Sequence, residues 1–302
     1  MTWSRIPRFA FWLVAIASLC SLPARAQTPG DEVAITPAQV VAGSPELIRV
    51  QVPAGATVSG DWHVGAPPAR NLQFFRGSAA DEWFALAGVD VEAQTGASML
   101  QIKAHTPAGS SIDFIRNVEI LPAHYRTSTL TVAPKFVEPG PDEMTRIKAE
   151  RALKDKIFAS SAPEPLWSGN FRAPVRAAPT DSFGTRRTFN GKLASIHEGM
   201  DFRAAPGTPV HAANSGIVVL ARPLYYEGNC VVIDHGLGLF TISMHLSRID
   251  VHEGDHIAKG QLLGLSGATG RVTGPHLHWA VRLQNAYLDP AKMLRMNLSG
   301  VH

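Results

Sequence analysis

Histidine is distributed unevenly along this 302-residue chain: eight of its 12 histidines fall between His197 and His278. Three short motifs carry the ones that matter. His197-Glu198-Gly199-Met200-Asp201 sets an imidazole and a carboxylate four positions apart, and His276-Leu277-His278 sets two imidazoles two apart. His245 stands between them, in Thr241-Ile242-Ser243-Met244-His245-Leu246. Neutral imidazole offers a lone pair to a metal and exchanges protons near neutral pH. Two imidazoles and a carboxylate make a three-ligand set for one Zn²⁺, with a fourth tetrahedral position left for water. An open site of this kind lowers the pKa of that water and polarises a carbonyl awaiting attack. The histidines left over suit proton transfer or the steadying of an oxyanion. Each motif alone is commonplace. Their gathering in one glycine-rich stretch points to a hydrolytic metal centre.

The surrounding elements must hold these groups in place. From His276 to Leu283, Leu277, Trp279, Val281 and Leu283 fall on one face of a strand, and His276, His278, Ala280 and Arg282 on the other. Two imidazoles thus project together from a strand backed by core. The same alternation puts Ile242, Met244 and Leu246 on an apolar face and Thr241, Ser243 and His245 opposite, so Ser243 is expected to border the site. Gly199 and Phe202-Arg203 read as a turn entering a strand.

The rest of the chain reads as support and delivery. Arg5 and Arg8, the apolar run Phe9 to Leu22, and Ala24-Arg25-Ala26 before Gln27 have the layout of a cleavable secretory signal over 1–26. That apolar run is shorter than the roughly 20 residues a membrane span needs, so no transmembrane anchor is expected after cleavage. The whole chain has 28 basic and 25 acidic residues; losing the three arginines of 1–26 balances the charge and gives no basis for nucleic-acid binding. Cleavage removes Cys20 and leaves Cys230 alone in Cys230-Val231-Val232-Ile233, a buried hydrophobe without a disulfide partner. Segment 27–137 carries short alternating strands, among them Leu47 to Val52 and Leu100 to Ala104, and predicts a β-sandwich with Trp62, Phe74, Phe75, Trp83 and Phe84 as core. Segment 138–165 predicts a helix after Pro139-Gly140-Pro141, supported by a Glu150–Lys154 pair, then a proline-rich linker at Ser161 to Pro165 that allows relative movement of its neighbours. Segment 166–302 is the β-rich part that holds the chemistry.

Within it, Ser182 to Val281 resembles the LytM/lysostaphin-type zinc metallopeptidases, the peptidoglycan endopeptidases of bacteria. The matching residues are Ser182-Phe-Gly-Thr-Arg-Arg187, His197-Glu-Gly-Met-Asp-Phe202, Gly207-Thr-Pro-Val-His-Ala212, Gly228 to Gly236, and Thr269-Gly-Arg-Val-Thr-Gly-Pro-His-Leu-His-Trp279. The resemblance implies a mainly β protein, with N-terminal β-sandwich, helical connector and C-terminal LytM-like metallopeptidase domain. It implies one Zn²⁺ held by His197, Asp201 and His278. It implies His245 and His276 as the catalytic histidines, and peptidoglycan as substrate in the periplasm or cell envelope, with any envelope protein partner unknown. Relatives commonly carry an aromatic residue where this chain has Ser243. Tyr226, Asn229 and Ser243 are the candidate substrate contacts. Two alternatives share the resemblance: a non-enzymatic activator of a cell-wall amidase, which typically lacks metal ligands, and a secreted bacteriolytic peptidase.

Overall fold

The computed structural model describes Met1 and residues 32–65 and 68–301; apart from Met1, the expected signal segment and Cys20 lie outside the described residues. The protein is mainly β. Among the described residues, no helix is long and apolar enough to cross a membrane.

Residues 33–121 form two sheets. One runs in the order Val33–Thr36, Pro45–Gln51, Glu82–Gly88, Phe74–Arg76, and the other Val40–Val41, Ser111–Leu121, Gly96–His105, Thr57–His63, Arg70–Asn71. Alternation along Pro45–Gln51 sends Ile48 and Val50 into the space between these sheets, where they meet Trp62, Leu100 and Ile102. Leu47 points the opposite way. With Phe75, Phe84 and Leu86 it joins a second core that continues through Trp167, Phe171, Met200, Leu277 and Trp279. The Phe75 ring meets Trp167 edge-on at 5.7 Å and Phe84 at 6.2 Å. The first sheet is therefore buried on both faces, which is why its central strands are rich in apolar residues rather than cleanly alternating. Of the expected aromatic core, Trp62, Phe75 and Phe84 are buried, and Phe74 and Trp83 pack at its margin.

The C-terminal sheet runs Pro179–Asp181, Met200–Phe202, Leu277–Leu283, Leu239–Ile249, Gly228–Asp234, Gly216–Leu224, His256–Ile257. Its back face is the shared core. Its front face carries Leu220, Cys230, Val232, Phe240, Ile242 and Ala280, covered by Leu153, Ile157 and Phe158 of the helix Pro141–Phe158. Cys230 is 1% exposed and burial pushes its thiol far up, so it is inert as a nucleophile.

Three expectations about the connector change. The predicted Glu150–Lys154 pair does not form: Glu150 pairs with Arg146 and accepts the Tyr225 backbone N–H at 2.8 Å, while Lys154 pairs with Glu227. Both acid and base instead tie the helix to the turn before Gly228–Asp234. The proline-rich stretch is not a loose tether. Asp234 accepts from Ser161 Oγ at 2.7 Å and from the Ala162 N–H at 2.8 Å, and Leu166 N–H donates to the His235 carbonyl at 2.8 Å. Nor do the parts meet only through a linker, because the Thr127–Leu130 strand pairs in parallel with Arg186–Phe189 and the apolar core is continuous. Aromatic burial between layers outweighs what composition alone suggests about a flexible join.

Two outcomes follow from this packing. Phe75→Ala should cost about 3–5 kcal/mol and shift a single unfolding transition seen by every probe. A transition of the C-terminal part left unmoved would show that the cores are separate. The second concerns His235, wholly buried, donating from Nδ1 to the Ser215 carbonyl at 2.6 Å and accepting at Nε2 from Thr241 at 2.8 Å. Burial, partly offset by the Ser215 bond, pulls its pKa from 6.5 down to about 4. The unfolded chain thus takes up a proton near pH 6.5 that the folded chain refuses until about pH 4. This contribution to stability is intact above the upper value and lost as pH falls through the lower, about 3 kcal/mol in all. Urea midpoints compared above and within that window should show a shallower acid slope for His235→Gln than for the wild type; equal slopes would assign the sensitivity to other groups.

Candidate metal centre

Two neighbouring strands and the turn entering one of them bring the ligand candidates together. Met200–Phe202 pairs antiparallel with Leu277–Leu283, with Asp201 directly opposite His278. His197 arrives from the turn before Met200. Its Nε2 lies 3.0 Å from Asp201 Oδ1 and 2.9 Å from His278 Nδ1, and His278 Nδ1 lies 2.9 Å from the same carboxylate oxygen. All three residues are buried. Ligands about 2.0–2.1 Å from a tetrahedral ion stand about 3.3–3.4 Å from one another. The observed spacing needs only a few tenths of an ångström of expansion to take a divalent ion, and two imidazoles with one carboxylate are a borderline-soft donor set.

The turn works because residue 199 is glycine. A Cβ there would lie 2.4 Å from His278 Nε2 and 2.8 Å from the Trp279 carbonyl, so any side chain would push the His278 ring out of place. Glu198 lines the same cavity, and among the described residues no hydrogen bond or ion pair joins it to the triad.

Asp201 is divided between two duties. Oδ1 faces the histidines, and Oδ2 accepts from Arg187 Nη2 at 2.7 Å. Arg187 is itself held by Asp181, which also accepts from Thr185 Oγ1 at 2.9 Å. Burial alone would raise the Asp201 carboxyl, but the two imidazoles facing its Oδ1 outweigh it and hold the group far below the usual carboxylate range. It is ionised at any working pH. Burial pulls His278 down to about 4, against its hydrogen bond to Asp201, so its ring is neutral and able to ligate.

His245 and His276 flank the triad. Their ring centroids are 4.9 Å apart, and His245 is 6.0 Å from the His278 ring. His276 Nε2 lies 3.6 Å from Asp201 Oδ1. A common device orients three rings: Nδ1 of His197, His245 and His276 faces the backbone carbonyls of Ser182, Thr269 and Gly274 at 3.0, 2.8 and 2.8 Å. Donation from Nδ1–H to a carbonyl fixes the tautomer and leaves each Nε2 lone pair for the site. Burial, reinforced by the unfavourable effect of adding a proton beside the His278 and His276 rings, pulls His245 down to about 3. It stands neutral, as a proton acceptor.

His245 reaches this position through a break in strand pairing. Asn229 faces Leu246 and Val231 faces Ser243, so Cys230 alone opposes Met244 and His245, a bulge in which His245 takes φ +64°. A β-strand residue in that left-handed region carries strain of order 1–3 kcal/mol, stabilised here by its N–H bond to the Glu227 carbonyl at 2.9 Å. The bulge corrects the expected faces. Met244, paired with His278, lies on the groove side, while Ser243 is buried opposite it, paired with Trp279 and away from the groove lining. Asn229 is also outside that lining; its Nδ2 donates to the Leu246 carbonyl at 3.0 Å and its N–H to Thr269 Oγ1 at 2.9 Å, which fastens the loop carrying Thr269. Tyr226 does line the groove, a cavity of about 430 Å³ shared with all five predicted metal and catalytic residues. Arg187 and the orienting carbonyls carried no role in the sequence reading; pairing across 14 residues and backbone acceptors leave no local signature.

Residues 195–290 match peptidase family M23. Over 101 residues the chain is 45% identical to the peptidoglycan DD-endopeptidase ShyA of Vibrio cholerae, covering 33% of this chain and 24% of that protein. Over 98 residues it is 37% identical to the DD-carboxypeptidase/endopeptidase Mpg of Neisseria meningitidis, covering 32% of this chain and 23% of that protein. The chain thus spans about a quarter of the length of these curated relatives. A crystal structure of a putative peptidase M23 from Pseudomonas aeruginosa superposes with a TM-score of 0.58 at 25% identity, covering 83% of this chain and 96% of that one. The matched segment holds every ligand candidate and both flanking histidines, and residues 195–290 of this chain are a peptidase family M23 domain.

Proposed function

We propose that the chain is an exported, zinc-dependent endopeptidase that hydrolyses peptide cross-links of bacterial peptidoglycan in the periplasm or cell envelope. The observation that carries this reading is the pairing of a buried His197–Asp201–His278 triad with two further imidazoles, His245 and His276, anchored at Nδ1 by backbone carbonyls and lining the same groove. Zn²⁺ bound there would act as a Lewis acid, polarising the scissile carbonyl and making a water acidic enough to attack it.

The chain's own residues do the remaining work. His245 and His276 stand on one side of the triad, so the proton leaving the water and the oxyanion forming at the carbonyl both meet an imidazole there. Carbonyl anchoring keeps each ring in one tautomer and removes the need to rotate during turnover. Arg187 holds Asp201 by its outer oxygen and so fixes the carboxylate plane. The bond we propose as cut is D-alanyl to diaminopimelate, a choice that rests on family likeness and agrees with relatives named DD-endopeptidases. Purified cell-wall sacculi, incubated with the zinc-loaded protein and with a chelated control, should release fragments bearing new peptide ends. Absence of such ends, or ends produced only at the sugar–peptide amide, would overturn the reading.

Replacing any of His197, Asp201 or His278 by alanine should abolish stoichiometric zinc, and Arg187→Ala should weaken binding by about 10–100-fold without abolishing it. Full zinc occupancy in Asp201→Ala, read by elemental analysis, would remove that residue from the ligand set. His245→Ala and His276→Ala should keep their zinc and lose about 10²–10⁴-fold in turnover. Near-normal hydrolysis by either would reduce that histidine to a packing role.

A further inference from the structure

Three cations line the groove. Lys154 is paired with Glu227, and Arg187 with Asp181 and Asp201. Arg271 is different. Its guanidinium lies 4.6 Å over the Phe189 ring and 4.7 Å over the Tyr226 ring, and among the described residues no carboxylate pairs with it. Contact with the two rings is through π-faces, which take up none of the five N–H donors at the guanidinium edge. No hydrogen bond engages those donors among the described residues, and none of its nitrogens is sealed from solvent, so they open on the cavity that Arg271 lines.

The position is built rather than incidental. Arg271 N–H donates to the Tyr226 carbonyl at 2.8 Å, locking the Thr269–Arg271 loop onto the Tyr226–Gly228 turn. Gly228 and Gly270, at φ +63° and +76°, allow that approach: a Cβ on Gly228 would lie 2.3 Å from Thr269 Oγ1, and one on Gly270 would lie 2.3 Å from the Gly228 nitrogen. The same loop supplies the carbonyl that orients His245, so Arg271 and the catalytic imidazole are set by one piece of backbone. Desolvation weighs against the charge of Arg271, an imbalance that an incoming anion would relieve.

We propose that Arg271 receives a carboxylate of the acidic stem peptide and so sets which peptide register places its amide over the metal triad. This rests on the reading of the chain as a peptidoglycan peptidase. A planar guanidinium with free, preorganised N–H edges binds carboxylate by two parallel charge-assisted hydrogen bonds. Two substrate carboxylates have this chemistry, the one on the diamino acid beside the scissile amide and the one at the stem terminus.

The test uses the full mature chain, zinc-loaded, with three forms of one cross-linked stem peptide: free, amidated on the diamino acid, and amidated at the terminus. For the wild type, one amidation should lower kcat/KM by about 10–100-fold, mainly through KM, and this identifies the carboxylate that is read. Arg271→Gln should bring the free-to-amidated ratio close to one, with zinc content retained, and Arg271→Lys should restore part of it. A wild-type enzyme indifferent to both amidations would overturn the proposal whatever the variants do, as would a ratio unchanged in Arg271→Gln. A wild type that cuts none of the peptides would sink the reading of the reaction. In that case calorimetric binding of the free and amidated peptides still decides Arg271: equal affinities would end the proposal, and selective binding lost in Arg271→Gln would uphold it.

Discussion

The Asp201 carboxylate sits where two histidines and an arginine compete for it, and the geometry of the centre follows from how its two oxygens are shared. Oδ1 is given to His197 and His278, and Oδ2 to Arg187. An ion pair this well buried is costly to assemble unless every lone pair is used. Here three partners face the two oxygens, and one of them, Arg187, is itself neutralised by Asp181. The surrounding strands exist in a register that makes this sharing possible. One residue of slip between Met200–Phe202 and Leu277–Leu283 would turn Asp201 away from His278 and into the core.

Rigidity at the flanking histidines comes from a different source. Backbone carbonyls of Ser182, Thr269 and Gly274 anchor three rings. The left-handed backbone at His245 is the strained element of the arrangement. It persists because hydrogen bonds on both sides of the bulge over-determine it, through the Glu227 carbonyl to one side and Thr269 to the other.

The N-terminal sheets bear on the centre by packing. Trp167 and Phe171 lie in one core with Phe75, Phe84 and Leu86, and Thr127–Leu130 extends the small sheet whose strand Arg186–Phe189 carries Arg187 and Phe189. Leu130 and Val132 reach the groove wall itself. Residues far from the His197–Asp201–His278 triad in sequence therefore shape the cavity that the triad lines.

Sequence alone determined the donor types and most of their placement. The motifs holding His197, Asp201, His245, His276 and His278 could be picked out because metal chemistry demands particular side chains. The division into a His197–Asp201–His278 ligand set and two flanking histidines came from the resemblance to LytM-type peptidases. Period-two alternation placed His276 and His278 together on a strand backed by Leu277 and Trp279. Mainly β architecture was legible for the same reason, since alternating and apolar runs broken by glycine and proline have few other solutions. The tertiary structure decided what depends on contacts between distant segments. It placed Ser243 behind the sheet, because a single extra residue opposite Cys230 reverses every side chain beyond it and no one-letter pattern marks a bulge. It turned a proline-rich stretch into a strap on Asp234, and it redirected Glu150 and Lys154 from each other to the Tyr225–Glu227 turn. It also drew Arg187 to Asp201 and set Arg271 between Phe189 and Tyr226. Charged side chains declare their chemistry in the sequence, but their partners are chosen by whichever groups the fold brings within about 3 Å.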